Sequence, residues 1–71
     1  MRADRFRRLA EVATELAHFT EMEDDFLRTM YYAGRRGDEI KQEWKDGQAH
    51  ASAMRVDYLR EFKTMLKRYF V

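Results

Sequence analysis

The chain has 71 residues, 45% of them apolar and 38% charged, with ten aromatic side chains, no cysteine, no proline and a net charge of +1. That is room for one domain, 1–71, too apolar for a disordered tail and free of any disulfide or thiolate metal site. A chain this short buries only about 60% of the surface that its unfolded form exposes, so a partner chain is the favoured source of extra stability.

Charge runs in blocks: residues 1–10 carry four arginines against Asp4, and residues 11–25 carry six acids and no base. Arg28, Arg35 and Arg36 restore positive charge, 38–46 are net acidic, and 55–71 finish basic. Such alternation suits antiparallel segments or complementary faces of a dimer. No apolar run approaches the ~20 residues that span a bilayer, and no continuous apolar segment follows the arginines of 2–8 as in a secretory signal. The expected setting is soluble and cytoplasmic.

The first segment, Ala3 to His18, places Phe6, Leu9, Ala10, Ala13, Leu16 and Ala17 at offsets of three and four, one apolar face of an amphipathic helix. At "FTEMEDD", Thr20 and Glu23 have the spacing of a capping box, and the acids at 21–25 suit the positive end of a helix dipole. A break near His18–Glu21 is therefore expected, with a second helix from Glu21 to about Ala33. Its face is Met22, Phe26, Met30 and Ala33, widened by Leu27 and Tyr31. Gly34 and Gly37 then bracket Arg35 and Arg36, where glycine favours a helix stop.

Asp38 is placed to cap the next helical segment. Either 38–45 and 48–69 form two helices, or one helix of about 30 residues runs through Gly47, at a cost of about 1 kcal/mol. The regular spacing of Ile40, Trp44, Gly47, Ala51, Met54 and Tyr58 favours the single helix, with Gly47 and Ala51 as a notch where another helix crosses closely. Further on, Val56, Leu59, Phe62, Leu66 and Tyr69 make an apolar seam that continues to Phe70. An apolar seam carried to the chain end marks an interface, so Leu59, Phe62, Leu66, Tyr69 and Phe70 are the expected homodimer contacts. The fold expected is all-α: a small bundle of three helices, two antiparallel ones on a long C-terminal one, completed as a homodimer.

Motifs point away from catalysis. "RGD" at Arg36–Asp38 reads as a helix stop followed by a cap. "GRRGDE" lacks the strand context and trailing Lys-Ser/Thr of a phosphate loop. His50 lies near Asp46 and Asp57 in helical spacing, without a nucleophile at a useful distance, and His18 makes no ligand pair with it. The acids at 21–25 lack the alternating ligands and glycine of a calcium loop. No enzyme, cofactor or metal is expected.

Two binding readings remain. Tyr31, Tyr32, Arg35, Arg36 and Trp44 gather the residue types enriched at binding hot spots. They suggest a non-enzymatic protein–protein interaction module: a regulator, adaptor or inhibitor, such as phages, plasmids and bacterial operons encode, that occludes a surface of a partner protein. The alternative is a nucleic-acid-binding regulator in which Arg2, Arg5, Arg8, Arg60, Lys63 and Lys67 form a phosphate-contacting ridge across a dimer.

Overall fold

In the computed structural model, which describes residues 3–70, the chain is a hairpin of two antiparallel helices, α1 (Ala3–Arg36) and α2 (Gln42–Phe70). It measures 53 × 17 × 15 Å, a rod one helix deep and two helices wide. The described residues hold two helices and no strand, so the three-helix expectation is corrected to a helical hairpin.

The correction lies at residues 18–21, where α1 passes straight through. The Thr20 hydroxyl donates back to the Leu16 carbonyl at 2.7 Å, a bond made inside a helix and not at its start. Glu23, the other half of the expected capping box, turns instead to α2, where Gln48 and Arg55 donate to its carboxylate at 3.2 and 3.0 Å. With no glycine or proline from Ala3 to Ala33, nothing in the backbone compels a break. The acids of 21–25 therefore stand in mid-helix; Asp24 is held by Arg28 one turn on, at 3.0 Å.

α1 stops where the glycines are. Gly37 adopts φ +79°, its N–H bonds to the Gly34 carbonyl at 3.1 Å, and the Asp38 N–H reaches the Ala33 carbonyl at 2.9 Å. These two bonds make a Schellman stop, with Gly37 in the left-handed position that a Cβ disfavours. Asp38 does not cap α2: its carboxylate accepts from Arg36 at 2.9 Å, and α2 begins only at Gln42, its first turn closing on the Lys41 carbonyl. The "RGD" tripeptide is thus spent on the turn.

From Gln42 the second helix is single, and Gly47 lies inside it. A Cβ on Gly47 would stand under 3.0 Å from three atoms of the Phe26 ring. The glycine is the seat of that ring, and Ala51, one turn on, is wholly buried. This is the small-residue notch read from the spacing. It sets Phe26 opposite Gly47, and Arg8 with Glu61 at 2.6 Å holds the same antiparallel register near the open end.

The core between the helices is thin. Val12, Ala33, Ala51 and Met65 are its buried residues, flanked by half-buried Phe19, Met22, Phe26, Trp44, Tyr58 and Phe62. Phe19 stacks on Tyr58 with ring centres 5.8 Å apart and meets His50 edge-on. Met22, Phe26, Met30 and Ala33 turn toward α2 as their spacing implies. The apolar face read from the first segment does not: Phe6 is 64% exposed, Ala10 and Ala17 are exposed, and the residue fully buried there is Val12.

Replacing Gly47 by valine forces the Phe26 ring out of its seat, and overpacking of this kind costs about 1–3 kcal/mol. Ala49→Val, at an exposed position of the same helix, costs only a few tenths from propensity, about 0.5 kcal/mol. Chemical denaturation of the two variants should separate them by that margin; equal midpoints would mean the notch contributes nothing.

Candidate functional site

The hairpin gives its two ends different chemistry. At the turn end, Tyr31 and Tyr32 are 59% and 54% exposed and meet edge-to-face at 5.2 Å. The Arg35 guanidinium sits over the Tyr31 ring at 5.9 Å. Arg36 is tied to Asp38 in the turn. Trp44 faces the interior, half-buried with the Lys41 ammonium 5.3 Å above its ring. Of the five residues expected to meet a partner, Tyr31, Tyr32 and Arg35 form one exposed cluster, while Trp44 is half-buried and Arg36 is paired with Asp38.

The open end is basic. Antiparallel pairing brings Arg5, Arg7 and Arg8 of α1 beside Arg60, Lys63, Lys67 and Arg68 of α2, with Asp4, Glu11, Asp57 and Glu61 as the acids among them. The basic helix ends expected to meet across a dimer therefore meet within one hairpin. Two of the seven are engaged: Arg8 pairs with Glu61, which raises its pKa above the ordinary arginine value, and Arg5 lies over the Tyr69 ring at 5.4 Å. Arg2 lies outside the described residues.

The expected dimer seam divides in two. Phe62 and Tyr69 are half-buried on the α1 side, with Met65 buried between them in sequence. Leu66 and Phe70 are exposed, at 36% and 61%, and so is Val56 at 42%; Leu59 lies half-buried on that same outer row. With ~3.6 residues per turn, the outer row sits roughly a third of a turn around α2 from Ala51, Tyr58 and Met65. On α1, Phe6, Leu9, Ala13, Leu27 and Tyr31 are offset from Val12, Phe19 and Phe26 in the same sense. Because the helices run antiparallel, equal offsets of one sense bring both rows to the same face of the rod.

Near the middle of the rod stands Glu23, a residue that periodicity assigned to a helix start. Its side chain is only 16% exposed and that of Arg55 30%. The Ser52 hydroxyl is the largest influence lowering the Glu23 pKa, through hydrogen bonding, followed by the Arg55 charge and by bonds from Arg55 and Gln48; burial works against them. One carboxylate thus gathers three polar side chains of α2, at 48, 52 and 55. The signal available in the sequence was their helical spacing opposite an acid in α1, legible only once the register is known.

Among the described residues there is no group of three potential metal ligands. His50 meets Phe19 edge-on, and His18 meets the same ring at 5.0 Å. Comparison with models of protein families, with curated proteins and with solved structures gave no match. No described helix is long and apolar enough to cross a membrane.

The Glu23 cluster yields a pH signature. An unfolded glutamate titrates at about 4.3, and in the hairpin Glu23 titrates lower. Its contribution is fully present above the unfolded value and disappears as pH falls through the folded one. The stability gap between the native chain and Glu23→Gln should therefore narrow as the pH drops below about 4. A gap constant from pH 7 to 3 in urea titrations would show that the carboxylate charge is not what holds the cluster.

Proposed function

We propose that this hairpin is a non-enzymatic protein-interaction module, acting as a homodimer, that occludes a surface of a partner protein. The observation that carries this reading is the exposed cluster of Tyr31, Tyr32 and Arg35 beside a rigid turn. Two tyrosines more than half exposed are held edge-to-face, with a guanidinium stacked on one of them. Tyrosine supplies large contact area at low ordering cost, and tyrosine and arginine are both enriched at interface hot spots. The Schellman stop directly behind them fixes the end of α1, so the cluster is presented already ordered. The homodimer is supported by the thin core and by the apolar row left outside it.

A second reading is favoured by the open end, where seven basic residues converge against four acids. There the hairpin would engage the phosphates of a nucleic acid through Arg5, Arg8, Arg60, Lys63 and Lys67, and counterion release would govern affinity.

Two measurements divide the readings. Immobilised protein should retain one protein from a bacterial lysate at both low and physiological salt, and Tyr32→Ala/Arg35→Ala should abolish capture while the helical circular dichroism stays unchanged. Retention unaffected by the double substitution sinks the first reading. For the second, a fluorescent random-sequence duplex should bind at low salt with an affinity that falls steeply as salt rises, and Lys63→Glu/Lys67→Glu should remove it. A duplex that fails to bind even at low salt rules that reading out.

A further inference from the structure

In the open half of the rod, the outer apolar row keeps company with cations and with no acid. On α2, Leu59, Lys63, Leu66 and Phe70 follow one another at offsets of four, three and four, with Arg60 and Lys67 beside them on the outer edge. Val56, Leu59, Arg60 and Lys63 line one shallow hollow together. On α1, Phe6, Leu9 and Ala13 carry the same face. The side chains that project from it are Phe6 at 64% exposure, Phe70 at 61% and Leu66 at 36%.

The acids of the same two segments lie on another stripe. On α1, Asp4, Arg8, Glu11 and Glu15 are spaced four, three and four apart. On α2, Asp57, Glu61, Thr64 and Arg68 are spaced in the same way. Arg8 pairs with both Glu11 and Glu61 and so joins the two stripes. Arg8, Asp57, Glu61 and Arg68 line one groove between the helices, which places them on a single face. Asp4, Glu11, Glu15, Asp57 and Glu61 are all the acids of 3–17 and 55–70. By their helical spacing, none of the five shares the face of Phe6, Leu66 and Phe70.

Going beyond the interaction reading, we infer that this half-face rests on an anionic phospholipid surface. Two helices side by side offer a plane, and the rod lies flat with Phe6, Leu66 and Phe70 entering the boundary between headgroups and acyl chains. Arg60, Lys63 and Lys67, along the α2 edge, lay their apolar stems on the same surface and set their charges among the lipid phosphates. The hairpin lies on the bilayer, and no described helix crosses it. Charge and apolarity together select this occupant. A nucleic-acid backbone answers the three cations but leaves Val56, Leu59 and Leu66 against phosphate. An anionic lipid surface answers both, and the five acids, turned toward water, stay clear of its negative potential.

Co-sedimentation with vesicles tests this. Vesicles of phosphatidylglycerol and phosphatidylcholine should carry the protein down, and vesicles of phosphatidylcholine alone should leave it in the supernatant. Phe6 and Phe70 are both more than half exposed, so Phe6→Ser/Phe70→Ser should weaken partition more than tenfold with the helical circular dichroism unchanged. Two charge reversals that alter net charge equally test the orientation. Each basic side chain near an anionic surface contributes about a factor of five, so Lys63→Glu should lower partition about 30-fold. Arg68→Glu, on the acid-bearing side of a rod 15 Å deep, should lower it severalfold at most, given the ~10 Å screening distance at 0.1 M salt. Protein left in the supernatant with anionic vesicles overturns the inference, including where a dimer closed over this half-face keeps lipid out. Equal losses for the two reversals overturn it as well, as does partition indifferent to the two phenyl rings, since either means unoriented charge attraction. Capture of a random duplex with the anionic vesicles left bare assigns the cations to nucleic acid and overturns it equally. None of these variants touches Tyr32 or Arg35, so the partner-capture reading stands or falls separately.

Discussion

Two helices touching along one seam bury one side of each, and this chain has apolar residues on more than one side. The seam goes to Val12, Phe19 and Phe26 on α1 and to Ala51, Tyr58 and Met65 on α2, where small residues let the helices approach. Phe6, Val56, Leu66 and Phe70 are left on the outside by the same choice. A thin core and an uncovered face are one fact seen from two sides. Both follow from helices too long, at 34 and 29 residues, to fold back on themselves again.

What fixes that seam is the seat of Phe26 on Gly47. A larger residue at 47 would push the helices apart or slide them, and every other contact across the hairpin depends on the resulting level. Arg8 reaches Glu61, and Glu23 reaches Gln48 and Arg55, because the notch has already placed α2. The Arg8–Glu61 pair is exposed, so solvent screening leaves it little weight in stability. Its role is to agree with a register chosen by packing. Antiparallel pairing about the turn gathers the basic residues at the open end and leaves the tyrosines at the turn, so the division of the rod into two chemical ends follows from where α1 stops.

Much of this is legible in the sequence, for local reasons. The all-helical class follows from strong helix formers and the absence of proline. The stop at Gly37 follows from the left-handed backbone it adopts. The passage of α2 through Gly47 is visible as an unbroken 4-3-4-3-4 spacing. The break expected at 18–21 does not form, because Thr20 and Glu23 have cap spacing whether or not the helix begins there. A threonine hydroxyl satisfies itself equally well on the carbonyl four residues back, as it does here on Leu16. Where the backbone contains neither glycine nor proline, side-chain caps permit a break without requiring one.

The sequence by itself determined helix content, the stop at Gly37, the notch and the blocks of charge, since each depends on neighbours within a few turns; that there is one turn and not two was settled by the structure. Only the tertiary structure decided which apolar row faces inward. Within the first segment Phe6, Leu9, Ala10, Ala13, Leu16 and Ala17 make the fuller apolar face, yet Val12 is the residue that is buried. The choice depends on which side of α2 offers room for a ring, and that is set by residues more than 20 positions away in the chain. Tyr31, Tyr32 and Arg35 became an exposed cluster, and Trp44 half-buried, for the same reason: exposure is decided by the neighbouring helix, and periodicity within one helix does not specify it.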